Sequence, residues 1–275
     1  MSRNENRLGS EHSGAEAPQQ DQKSILDFVL PTEFVDLPSQ GKFYPKGHPL
    51  HNQDNVEIRY MTAKDTDILT SKSLLKKGVA VDRMLQSILV DKAIKVDDLL
   101  VGDKNALIVA ARISGFGDEY ATKVTCPNCG NVASHTFNLG EMEILEPDDD
   151  IEVSESGTFK VVLPKTGVEA ECRLLKGQDE KELLKISEKR KKLSLPDELL
   201  TSQYKLFIVS LNGETDRGLV EKFVDLMPAF DASFLRKMYN RAVPNIDMKQ
   251  DFTCSECDHE ASIDLPFSAE FFWPE

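Results

Sequence analysis

Two short stretches carry the residues most able to do chemistry: Val124–Leu139, "VTCPNCGNVASHTFNL", and Phe252–Phe267, "FTCSECDHEASIDLPF". Each holds Thr before Cys-x-x-Cys, and each has Ala-Ser at the fourth and fifth positions after its second Cys. One Cys-x-x-Cys turn can aim two sulfurs at a single ion, so two such turns supply the four soft ligands that zinc takes tetrahedrally. Cys126, Cys129, Cys254 and Cys257 are therefore the candidate ligands of one structural Zn2+. Pro127 and Gly130 suit the turn of the first knuckle, whereas "CSECD" has neither. An iron–sulfur centre uses the same ligands, and spacing alone does not exclude it. A thioredoxin-type redox pair would place one Cys-x-x-Cys at a helix start, not two in matched hairpins. With four thiolates bound, no coordination position stays open for catalysis, and His135 and His259 are read as neighbours rather than ligands.

The elements that position these knuckles are short strands on either side of each, so two β-hairpins close on one ion. This predicts a split zinc ribbon with the intervening chain inserted between its halves. Closing a loop of that length costs roughly 4 kcal/mol of chain entropy plus a constant. Structural zinc supplies about 10–16 kcal/mol of apparent binding free energy in peptides, which leaves a surplus. The fifth cysteine, Cys172, sits in "VEAECRLL", where Val168, Ala170, Cys172 and Leu174 share one strand face. That alternation reads as a small core residue.

The remaining pattern is α+β: mostly helical blocks with short strands. Residues 1–22 are polar and rich in breakers, and read as a disordered tail. Residues 23–60 read as an extended arm ending in the strand "NVEIRYM". Residues 61–123 form an N-terminal helical block, with a capping box at Thr62 and Asp65, a stripe at Val81, Leu85, Ile88 and Leu89, and a helix from an Asp103 N-cap to Gly115. Residues 124–140 plus 250–275 make the ribbon and a C-terminal aromatic tail. Residues 141–249 are the inserted strand-and-helix domain. In it, "DEKE" at Asp179–Glu182 starts one helix, and Leu200, Tyr204, Phe207, Ile208 and Leu211 form a helical stripe ended by Gly213. Asp216 and Asp231 look like N-caps of two more helices.

The chain has 275 residues, 40% of them hydrophobic, with 33 basic and 47 acidic side chains and a net charge of −14. That balance opposes nucleic-acid binding, whose affinity comes mostly from neutralising phosphate. It leaves a zinc-ribbon nucleic-acid-binding or transcription-related protein as the alternative reading. There is no run of eighteen apolar residues and no signal-peptide core, so neither a membrane partner nor secretion is expected. P-loop, dinucleotide, nucleophile-elbow and zincin motifs are all missing from the sequence, and no enzyme is expected.

An ordered set of segments carries a resemblance: "MTAKDTDILTSKSLLKKGVAVDRML", "LLVGDKNALIVAARISGFGDEY", "VTCPNCG", "LPKTGVEAECRLLKGQDEKEL", "FLRKMYNRAVPNID" and "FFWPE". Together, from about Val35 to Glu275, they resemble the baseplate hub and hub-assembly proteins of T-even-type myoviruses. The resemblance implies a structural or assembly role at the centre of a contractile-tail baseplate, with other hub and tail proteins as partners in a multi-subunit viral assembly. It places the protein in the virion tail, and in the host cytoplasm during assembly, and implies no catalytic residues. Phe271, Phe272 and Trp273 close the sequence with a density of aromatic surface that needs somewhere to go. They are expected either to pack back on the core or to anchor in a neighbouring subunit.

Overall fold

The computed structural model describes residues 30–265 and 269–272. The tail expected to be disordered, residues 1–22, lies outside them. Strands β1 (Thr32–Asp36) and β2 (Asn55–Arg59) pair antiparallel, with Thr32 opposite Arg59 and Val35 opposite Val56. The alternation of β2 buries Val56 and Ile58. Between the strands the chain turns through Leu37-Pro38-Ser39-Gln40-Gly41. Gly41 has φ +70, and a Cβ there would lie 2.4 Å from the backbone of Leu50 and Gln53, so only glycine fits.

Helix α1 (Ala63–Thr70) starts where Asp65 accepts the backbone N–H and the hydroxyl of Thr62, both at 2.8 Å. The same carboxylate takes a two-pronged grip from Arg59, at 2.7 and 2.9 Å, and a hydrogen bond from the Ser87 hydroxyl. Burial raises the pKa of Asp65, but the bonds from Arg59, Ser87 and Thr62 outweigh it and hold the carboxyl below the usual range. A depressed folded-state pKa adds stability that is present above the unfolded value, near 4, and is lost as pH falls through the folded one. Asp65→Asn should therefore cost about 1.5–3 kcal/mol at neutral pH. Thermal melts should show the gap between variant and native chain closing as pH drops below about 4.

The helix breaks at the extended Ser71, so Lys72–Lys76 is a separate α2. Helix α3 (Ala80–Ile88) follows, and Leu89 then bridges to Ile58. Helix α4 (Val101–Phe116) is the central element; Ala106, Leu107, Ile108, Val109 and Ala111 are all buried on it. Two expectations fail here. Asp103 is not the cap: Leu100 is, and Asp103 is the third helical residue, wholly buried. Its carboxylate points to the β1–β2 loop and accepts Ser39 N–H (2.9 Å), Ser39 hydroxyl (2.6 Å) and Tyr44 hydroxyl (2.8 Å). Gly115 is not the stop: the helix runs one residue further, and Gly117, at φ +87, ends it.

Strands β3 (Glu119–Thr125) and β4 (Val132–Asn138) form the first knuckle hairpin. After a short β5 (Ile144–Leu145), β6 (Thr158–Val162) and β7 (Glu169–Arg173) pair with Thr158 opposite Arg173. Helix α5 (Gly177–Lys192) begins at a Lys176 cap, not at Asp179, which is its third residue and is gripped by Arg173 at 2.7 and 2.8 Å. Helix α6 (Leu199–Phe207) stops early. The expected helical stripe overran it, because Ile208–Leu211 forms β8 against β7. Apolar residues four apart fit a helix, but pairing with an open strand edge decides the outcome.

Helix α7 (Arg217–Leu226) is capped by Asp216, which accepts Leu219 N–H at 2.9 Å, as expected. Helix α8 (Ala229–Ala242) starts at Pro228, and Asp231 is its third residue rather than its cap. The end of α8 leads through β9 (Asn245–Ile246), paired with β5, into the second knuckle hairpin, β10 (Lys249–Thr253) and β11 (Glu260–Asp264). Helices and short antiparallel strands share one buried core, so the class is α+β.

Candidate metal centre

The hairpins β3–β4 and β10–β11 bring their tips together. Cys126 Sγ lies 3.8 Å from Cys257 Sγ, and Cys129 Sγ lies 3.7 Å from Cys254 Sγ. All four sulfurs lie within 4.8 Å of one another. Sulfurs placed about 2.3 Å from a central ion at the corners of a tetrahedron have edges of about 3.8 Å. Both of these pairs meet that spacing and are far beyond the ~2.05 Å of a disulfide. The donor set fits one tetrahedral ion of zinc's size.

Each turn is built from its own backbone. Cys126 N–H donates to Asn131 O (2.8 Å) and Gly130 N–H to Cys126 O (3.0 Å). In the second knuckle Cys254 N–H donates to His259 O (3.0 Å) and Asp258 N–H to Cys254 O (3.0 Å). The lack of glycine in "CSECD" is met by Asp258, which adopts φ +51 where Gly130 has φ +74. Asp is among the few non-glycine residues that visit this region readily. Cys126 and Cys254 are buried, Cys257 half-buried and Cys129 exposed.

The electrostatics would suit a cation. Backbone N–H groups of the knuckle, Cys129's first, pull the Cys126 thiol down to about 6. The Asn131 N–H also acts to lower Cys129, but the neighbouring sulfurs overcome it and push that thiol up to about 12. Four sulfurs this close cannot all be thiolates unless a positive ion sits among them.

Cys172 is elsewhere: wholly buried on β7, with its thiol pushed up to about 12, chiefly by burial. His135 packs its ring on Phe137 and Phe252 at 4.5 and 5.3 Å, consistent with a supporting place beside the knuckles.

Phe271 and Phe272 are wholly buried, in a short 3-10 turn over Ala269–Phe272. Phe271 lies 5.0 Å from the Tyr120 ring, and Phe272 lies 6.5 Å from Phe116. As folded here, both rings are enclosed by the chain's own core; Trp273 lies outside the described residues. Sequence reasoning missed what holds them. Arg112, itself buried on α4, donates to the carbonyl oxygens of Phe271 (3.1 Å), Gly117 (2.6 Å) and Glu119 (3.0 Å). An arginine inside "LIVAARIS" was the available signal, since a cation within an apolar stretch of helix needs a dedicated set of acceptors.

The fold and site thus define an α+β protein whose two distant hairpins converge on four cysteines close enough together to hold a metal ion. The family model described as T4 bacteriophage base plate protein matches residues 31–273, and the chain belongs to that family. It is a structural protein of a T4-type phage baseplate, a part of the virion tail that assembles with other tail proteins. No curated protein and no solved structure matches it. Among the described residues no helix is long and apolar enough to cross a membrane.

Proposed function

We propose that the protein serves the central hub of the baseplate, as a hub subunit or a hub-assembly factor, and works by protein–protein contact around a structural zinc. The observation that carries the zinc reading is the sulfur spacing of 3.7 and 3.8 Å. It suits one ion held by four protein ligands, with no open position for substrate. The reading of contact is supported by the α5–α6 hairpin, where Leu184, Leu193, Leu195, Leu199 and Leu200 are exposed, Leu184 to 62%. Apolar side chains gathered on one exposed element are the usual mark of a surface that meets a partner.

Elemental analysis of the purified chain should find about one zinc per chain. Iron in its place would show as visible absorption and would overturn the choice of ion. Quantitative mass spectrometry of purified virions, and of tail assembly intermediates, tests the placement. The chain should appear in one or both, at a fixed ratio to the hub subunits. Recovery only with outer baseplate proteins would sink the hub reading.

A further inference from the structure

The likeness of the two knuckles extends far beyond them. We propose that the chain is a covalent pseudo-dimer, two copies of one unit, Thr32–Thr136 and Thr158–Asp264, fused in tandem, with the metal position on the local two-fold axis that relates them. The metal part rests on the four-thiolate reading above; the duplication does not.

Four structural devices recur in the same order. The first is the strand pair. Thr32 faces Arg59 across β1–β2, and Thr158 faces Arg173 across β6–β7. Both loops open with Leu-Pro-x-x-Gly, "LPSQG" and "LPKTG", with Gly41 at φ +70 and Gly167 at φ +69, and the first loop then runs on to Asp54 before β2. Leu37 N–H donates to Asp54 O at 2.7 Å, and Leu163 N–H to Val168 O at 2.9 Å, across the matching positions.

The second device is the arginine grip. Arg59 holds Asp65 and Arg173 holds Asp179, each with both carboxylate oxygens engaged. In each case the aspartate is the third residue of the next helix and also accepts the N–H of the capping residue, Thr62 or Lys176, at 2.8 Å. The chain then returns to the sheet at the same place: Leu89 meets Ile58, and Ile208 meets Cys172.

The third device is a latch. Asp103 and Asp231 are both the third residue of a long helix and both wholly buried. Asp103 accepts Ser39 N–H, and Asp231 accepts Lys165 N–H, from corresponding positions of the Leu-Pro-x-x-Gly loops. The fourth is the knuckle itself, with the same two backbone bonds and the same left-handed residue. From Asp103–Thr136 to Asp231–Asp264 the correspondence runs at one constant offset, without insertion or deletion. An unrelated domain inserted into a ribbon has no reason to reproduce strand register, grip and latch.

The contacts between the units are reciprocal, which is what a two-fold axis requires: if i meets j, the equivalent of j meets the equivalent of i. Cys126 corresponds to Cys254 and Cys129 to Cys257. The contact of Cys126 with Cys257 therefore maps onto that of Cys129 with Cys254, and the two measure 3.8 and 3.7 Å. The segments after the ribbons are also exchanged. Glu143, which follows the first ribbon, accepts Asp247 N–H at the foot of the second. Its counterpart Phe271 follows the second ribbon and packs on Tyr120, next to Glu119, the counterpart of Asp247. Each chain thus offers its neighbours two quasi-equivalent faces.

The symmetry makes a length prediction that serial insertion does not. The linker that carries the first unit into the second should carry the second into the first. A permuted chain running Thr158–Phe272, then a copy of Leu145–Gly157, then Thr32–Leu145, should fold with native-like circular dichroism. It should bind one metal and melt within about 10 °C of the native chain. A permutant that folds but binds no metal would keep the duplication and sink the metal reading. Failure to fold would count against equal gaps between the units. A crystal structure of the native zinc-loaded chain decides the axis independently. The rotation superposing the units should be about 180°, with the anomalous zinc peak on its axis. A rotation far from that, or units that do not superpose, overturns the proposal.

Discussion

Cys254→Ser should leave the purified chain without bound metal and melt it well over 10 °C lower. The size follows from two magnitudes. Structural zinc sites supply about 10–16 kcal/mol of apparent binding free energy in peptides, while whole domains are stable by only about 5–15 kcal/mol. Even a fraction of the former removes most of the latter. The loss should concentrate where the ion acts: amide exchange should accelerate in the hairpins β3–β4 and β10–β11, and less in β6–β7. Cys172→Ser is the control. Its sulfur is buried on β7 and held as a neutral thiol by that burial, so the variant should keep its metal. Metal retained in Cys254→Ser, or lost in Cys172→Ser, would refute the ligand assignment.

Deleting Phe271–Glu275 should be nearly as damaging. Phe271 and Phe272 are wholly buried, and emptying such sites costs about 3–5 kcal/mol each. The deletion also strips Arg112 of the Phe271 carbonyl; an unmet bond to a buried cation adds about 1.5–3 kcal/mol. The truncated chain should melt far earlier or fail to fold, before any partner is present. The milder Phe272→Leu keeps an apolar side chain in place and should fold, so baseplate assembly can be scored with it. If the truncated chain were as stable as the native one while assembly failed, the tail would be a docking element and the clasp reading would fall.

How much of this was legible depended on whether the deciding interaction was local. The knuckles, the Asp216 cap, the Thr62–Asp65 start and the inward face of Cys172 could be read because each is settled within a few residues. Asp103 and Asp231 could not. An aspartate near a helix start is normally a cap, and here both are instead third residues whose acceptors are used by loops in distant sequence. The same applies to Ile208 and Leu211, whose helical spacing was overruled by the edge of β7. Arg112 shows the limit most plainly: the sequence marks it as anomalous, and only the fold supplies its three carbonyls.

The contact from Arg112 to Phe271 spans 159 positions of chain. At about 5–20 residues per second, a ribosome needs roughly 8–30 s to travel that far. Throughout that interval α4 is already synthesised, with its guanidinium lacking one acceptor and its aromatic neighbours uncovered. The clasp of Phe271 and Phe272 over α4 can therefore close only once the last residues have emerged. A nascent chain interrupted in between leaves uncovered the apolar surface at Phe116 and Tyr120 that those two rings meet in the finished fold.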